Sequence, residues 1–121
     1  MTLTGLHQAP YIDKVDSAAL KTETAPTTTI TSETDRVYTP ADDAAVTLLE
    51  GGTPRVRVTR DNLSNVVVWN PWAEKAAALA DFAPDDGFRQ MLCVEPGAVG
   101  GWQAVEAGDA FEGAQTISLL G

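Results

Sequence analysis

The chain has 121 residues, enough for one domain with one modest core. Its apolar fraction of 44% and charged fraction of 21% are those of a folded protein, which excludes wholesale disorder. Eight Lys and Arg stand against 17 Asp and Glu, and a net charge of −9 excludes nucleic acid as the expected partner and disfavours an anionic membrane surface. The first residues, from Met1 to Gly5, have neither the basic region nor the apolar stretch of a secretory signal. No apolar run is long enough to span a bilayer. Residues 16–26 read as a linker or a surface loop. Thr27 to Thr31 is rich in β-branched residues and predicts a strand. Gly51-Gly52 predicts a turn, and Arg55 to Arg60 alternates polar and apolar residues as a half-buried strand does. Asn65 to Trp69 is continuously apolar after its first residue and predicts a strand covered on both faces. Asn70 is the expected cap and Pro71 the first residue of a helix continuing from Trp72 to Asp81 and ended by Pro84. A one-turn element fits Asp86 to Gln90. Met91 to Val94 predicts another buried strand, closed by a turn at Pro96-Gly97. Ala114 to Leu120 alternates again and is expected to close the sheet. Many short strands separated by Gly, Asp and Asn turns predict an all-β, antiparallel sandwich with one short helix.

Cys93 is the only cysteine, so no intrachain disulfide framework and no zinc knuckle is expected, and a reducing, cytoplasmic compartment is the default. It reads as a small buried apolar residue, since no histidine is near in sequence to activate it. Arg55 and Arg57 share a strand parity. They fit a phosphate contact, but a solvated strand face is the simpler reading.

Three segments carry a more specific signal. Tyr11-Ile12-Asp13-Lys14 is followed by Glu33-Thr34-Asp35-Arg36-Val37-Tyr38. Val67-Val68-Trp69-Asn70-Pro71-Trp72 continues through Glu74-Lys75-Ala76 to Ala80-Asp81-Phe82. Met91-Leu92-Cys93-Val94-Glu95-Pro96-Gly97 precedes Gly113-Ala114-Gln115-Thr116. In order and spacing they resemble the hexose-6-phosphate mutarotase (glucose-6-phosphate 1-epimerase) branch of the aldose 1-epimerase superfamily, over nearly the whole chain.

The resemblance implies a twisted antiparallel supersandwich, of which residues 1–121 would form the carboxyl-terminal portion as one domain. It implies an isomerase that interconverts the α and β anomers of a hexose 6-phosphate without metal or organic cofactor. A carboxylate takes the proton of the anomeric hydroxyl, an imidazolium protonates the ring oxygen, and the opened ring recloses on its other face. By motif position the base is Glu95, and Asp35 contacts sugar hydroxyls. The ring of Trp69 lines the sugar or packs in the core with Trp72 around the helix start.

Without the resemblance, Glu95 is an ordinary strand-end carboxylate and Asp35 a surface acid. With it, Glu95 is expected to be partly desolvated, which would raise its pKa towards the working range. The family's general acid is a histidine in a His-Thr-Tyr-type motif well upstream of Tyr11. His7, the only histidine, has the wrong place and context. The chain is therefore expected to begin after that residue, as a fragment, a truncated product or a split subunit. It would be inactive alone and would pair with an amino-terminal half or with itself. The alternative is a non-catalytic carbohydrate-binding sandwich.

Overall fold

The computed structural model describes all residues from Met1 to Gly121. Ten strands form two antiparallel five-stranded sheets. They are β1 (Thr2–Thr4), β2 (Pro10–Asp13), β3 (Ala19–Thr22), β4 (Thr28–Thr29), β5 (Thr34–Tyr38), β6 (Val46–Glu50), β7 (Thr53–Asp61), β8 (Asn65–Asn70), β9 (Cys93–Gly97) and β10 (Ala114–Leu119). The first sheet has the order β10-β7-β6-β1-β4 and the second β3-β2-β5-β8-β9. One helix, α1 (Trp72–Ala78), and a single 3-10 turn, Gly87–Gln90, join β8 to β9. No helix is long and apolar enough to cross a membrane.

The chain passes repeatedly from one sheet to the other, so each sheet is built from distant segments. Period-two alternation then sends one face of each strand inwards. From the second sheet come Tyr11, Tyr38, Val66 and Val68, and from the first Leu3 and Val46, all in one buried cluster. Tyr11 and Tyr38 stack at 4.8 Å. The Tyr38 hydroxyl donates to Glu23 Oε2 at 3.0 Å and accepts from Arg36 Nη1 at 3.0 Å. No buried side-chain nitrogen or oxygen lacks a partner.

The all-β sandwich with one short helix agrees with the sequence reading, but several local expectations change. The strand at Thr27 to Thr31 shrinks to Thr28–Thr29, because only two residues reach β1. The stretch read as linker contains β3, which pairs with β2 from Pro10 to Asp13. β8 is covered on one face only. Val66 and Val68 are in the core, while Val67 and Trp69 are half-buried on the outer face. Arg60 shares the inward parity of Val56 and Val58 and is buried, so the wet face of β7 does not include it. Its guanidinium donates to the carbonyls of Leu63, Ala44 and Asp42, which brings two loops together.

The helix start is displaced by one residue. Asn70 still belongs to β8, opposite Thr34, and Pro71 takes the cap position. Asn70 Oδ1 nonetheless accepts the Trp72 N–H at 2.8 Å. The helix stops at Ala78 rather than running to Asp81, because Ala76 is its only buried residue and a helix this short is held by packing. Pro96-Gly97 is not a turn but the last two residues of β9, paired with Val66 and Asn65. β9 is an edge strand, where the missing N–H of a proline leaves no ladder bond unmade.

Candidate active-site face

The residues singled out from the sequence come together on the second sheet. Register pairs Asp35 with Trp69 and Trp69 with Cys93 across β5, β8 and β9. One step along, Ile12, Val37, Val67 and Glu95 form the neighbouring row across β2, β5, β8 and β9. Paired residues share a face, so Asp35, Trp69, Cys93 and Glu95 all lie on the face turned away from the core cluster. Two strand spacings and a two-residue offset put the Asp35 and Glu95 Cα atoms roughly 12 Å apart. A pyranose fits over that distance, with a carboxylate at each end and the indole of Trp69 between.

Glu95 is exposed, in mid-strand, and takes part in no side-chain hydrogen bond or ion pair. The expected partial desolvation is therefore not present, because β9 is at the sheet edge and nothing in the chain covers its outer side. Asp35 and Trp69 are half-buried. The two tryptophans separate. Trp69 lies on the outer face, whereas Trp72 packs against the core cluster and stacks on Phe88 at 4.9 Å.

Cys93 is half-buried rather than sealed in the core. Burial pushes its thiol up, and the carboxylate of Glu95 two residues on adds to the rise. The thiolate is therefore disfavoured, which agrees with a structural rather than a nucleophilic role. His7 is not on this face. It is exposed in the link between β1 and β2, with its ring bonded to the Gln8 amide at 3.1 Å. Arg55 is paired with Glu50 at 3.1 Å on the other sheet, and Arg57 is exposed there. No group of three or more His, Cys, Asp or Glu is placed to share a metal ion.

Sequence reasoning undervalued the two asparagines that bound β8, both fully buried. Asn70 Nδ2 donates to the Phe88 and Met91 carbonyls at 2.9 and 3.0 Å, which fixes where the chain returns to form β9. Asn65 Oδ1 accepts the N–H groups of Val99 and Gly100 at 3.0 and 2.7 Å, which fixes where it leaves. Glu95 is thus held at both ends of its strand through β8. A polar residue at each end of an apolar run was the only available signal.

None of the five principal cavities is lined by Asp35, Trp69 or Glu95, so the face is open rather than a cleft. One of those cavities, of about 240 Å³, has a wholly apolar lining and opens between the sheets beside Val56, Leu92 and Ile117.

Comparison with known proteins bears on the family and the fold. The family described as Aldose 1-epimerase matches residues 1–118. A Cenchrus ciliaris protein named "Putative glucose-6-phosphate 1-epimerase" is 33% identical over 116 residues, 96% of this chain and 35% of its own length. An Escherichia coli protein of the same name is 35% identical over 85 residues, 70% of this chain and 29% of its own. A Salmonella typhimurium crystal structure, described as a "putative mutarotase", superposes with a TM-score of 0.80 at 31% identity and covers 98% of this chain and 39% of that one. The chain spans about a third of the length of the relatives it matches.

Proposed function

The chain belongs to the aldose 1-epimerase family, and from that premise we propose that it is the base-bearing, carboxyl-terminal portion of a hexose-6-phosphate mutarotase. Glu95 takes the proton from the anomeric hydroxyl. Asp35 accepts hydrogen bonds from ring hydroxyls, and Trp69 lies against the C–H patch of the sugar. The observation that carries this reading is the common outer face of Glu95, Trp69 and Asp35, with no core residue between them. The exposure of Glu95 is consistent with a base that is desolvated only when substrate and further protein cover it. The lone thiol of Cys93 supports a reducing, cytoplasmic setting.

The acid that protonates the ring oxygen must come from another polypeptide segment, since His7 is not on this face. The chain alone is therefore inactive. Adding the amino-terminal portion of the Escherichia coli relative in trans is expected to accelerate exchange between glucose 6-phosphate anomers, read by exchange NMR against the spontaneous rate. In that mixture Glu95→Gln should lower the rate by roughly 10²–10⁴-fold and leave sugar binding in place. Full activity of the Glu95→Gln mixture, or enzyme-level exchange by the chain alone, would overturn the assignment.

A further inference from the structure

The two sheets present four edges, β10 and β4 on the first and β3 and β9 on the second. Three of them are guarded in the ways that keep edges from pairing. β4 is only two residues long, β3 carries Lys21, and β9 carries Glu95 and Pro96. β10 has none of these guards, and the stretch from Gly113 to Gly121 contains no charged side chain. Six of the nine exposed large apolar residues lie between Val99 and Leu119, so the uncovered apolar surface gathers where the chain passes from β9 to β10.

The backbone of β10 has a used side and a free side. The Leu120 N–H donates to the Arg55 carbonyl at 2.8 Å, and the register pairs Ser118 with Arg57 and Thr116 with Thr59. In an antiparallel pair, alternate residues direct both backbone groups to the same side. The N–H and C=O groups of Ala114, Thr116 and Ser118 therefore turn towards β7, and those of Gln115, Ile117 and Leu119 point outwards along the open edge. The side chains of these last three have the inward parity, opposite Arg60, Val58 and Val56. β9 packs beneath β7, so β10 projects one strand beyond the second sheet and leaves Ile117 and Leu119 uncovered on the inner side.

We propose that β10 is a self-complementary edge at which two copies of this chain join by antiparallel strand addition about a two-fold axis at Ile117. In that register Ile117 is opposite the partner's Ile117 and Gln115 is opposite the partner's Leu119, so every outward N–H and C=O of Gln115, Ile117 and Leu119 is paired. Shifting the axis by one residue either way leaves Gln115 or Leu119 without an opposite residue in β10. The two first sheets become one continuous sheet, and Ile117 and Leu119 of both copies lie side by side on its inner face. A net charge of −9 makes two copies repel, and β10 is the edge where they meet without bringing charged side chains together. Glu95 and the sugar take no part, because the strand is added to the first sheet.

The test uses the isotope-labelled 121-residue chain, with amide exchange followed by NMR over a concentration series and dimer content read by sedimentation velocity. Thr116 and Ser118 are expected to be protected at every concentration. Ile117 and Leu119 should exchange freely in the monomer and slow by about tenfold or more as the dimer forms. Ile117→Pro removes an N–H that the monomer does not use, and should weaken the dimer about tenfold or more while the amides bonded to β7 stay protected. Leu20→Lys, on the β3 edge, should leave the dimer intact. A dimer in which Ile117 and Leu119 still exchange freely, or one weakened by Leu20→Lys and not by Ile117→Pro, overturns the proposal. So does a chain that stays monomeric, which leaves the edge to a different polypeptide.

Discussion

At the scale of single residues, two side chains on one strand report on each other. Cys93 and Glu95 share a face, and the thiol is raised first by burial and then by the nearby carboxylate. A raised pKa means less thiolate at any pH below it. Alkylation of Cys93 by iodoacetamide should therefore be slow near neutrality and rise only beyond the pH range of an ordinary thiol. In Glu95→Gln the profile should move to lower pH but stop short of the free-thiol curve, because burial remains. A pH–rate series read by mass spectrometry checks this, and coincident profiles would mean the two groups do not interact. The trio of Tyr38, Glu23 and the half-buried Arg36 behaves differently. Burial holds the Tyr38 hydroxyl well above its ordinary range, so it stays a neutral donor to Glu23 while Arg36 donates to it. That network closes the core at the β3 side and leaves the outer face free for the candidate site.

At the scale of elements, β8 organises the sheet. Its apolar centre faces the core through Val66 and Val68, and its two terminal asparagines use their amides on the loops around β9. Removing the Asn70 amide leaves the Trp72 N–H and the Phe88 and Met91 carbonyls short of a partner. Asn70→Ala is expected to lower the unfolding free energy by about 2–3 kcal/mol in urea titration. Asn70→Asp retains the acceptor for Trp72 and should show whether the two lost donor bonds dominate. The start of α1 adds to this demand. Trp72 has a φ of +58°, a region where a bulky residue is strained, and it is held there by Asn70 and by its stacking on Phe88. Elsewhere, the backbone of Gly5 approaches the Ala45 carbonyl so closely, at a φ of +98°, that no side chain fits. That contact lets the chain leave β1 for the second sheet. The Gly51-Gly52 turn, with both φ values positive, is the tight hairpin its sequence predicts.

At the scale of the whole molecule, the two sheets do not fully cover each other. Ile117 and Leu119 of β10 have the inward parity of Val58 and Val56 yet remain 63% and 86% exposed, beside the apolar opening between the sheets. β10 is also an edge strand without charge, proline or bulge, the features that keep edges from pairing. The chain is expected to self-associate with rising concentration in sedimentation velocity, and Leu119→Lys should shift it towards monomer. A monomer at all concentrations would mean that β10 is protected in solution. Fold class, the turn chemistry at Gly51-Gly52, the family and the candidate base are legible in the order of residues alone, because motif spacing and period-two alternation are local properties of the chain. That order left β1, β2, β3, β5 and β6 unread as strands, since a strand of three to five residues is defined by partners far along the chain rather than by its own composition. It also misjudged what covers Val67, Trp69 and Cys93, because an apolar side chain looks the same whether it faces a second sheet or an open one. Folding is what brings Asp35, Trp69 and Glu95 to one outer face, sets Lys14 opposite Asp35, and leaves Glu95 exposed at an edge. Cross-strand register, a long-range property set by the whole sandwich, makes those three facts.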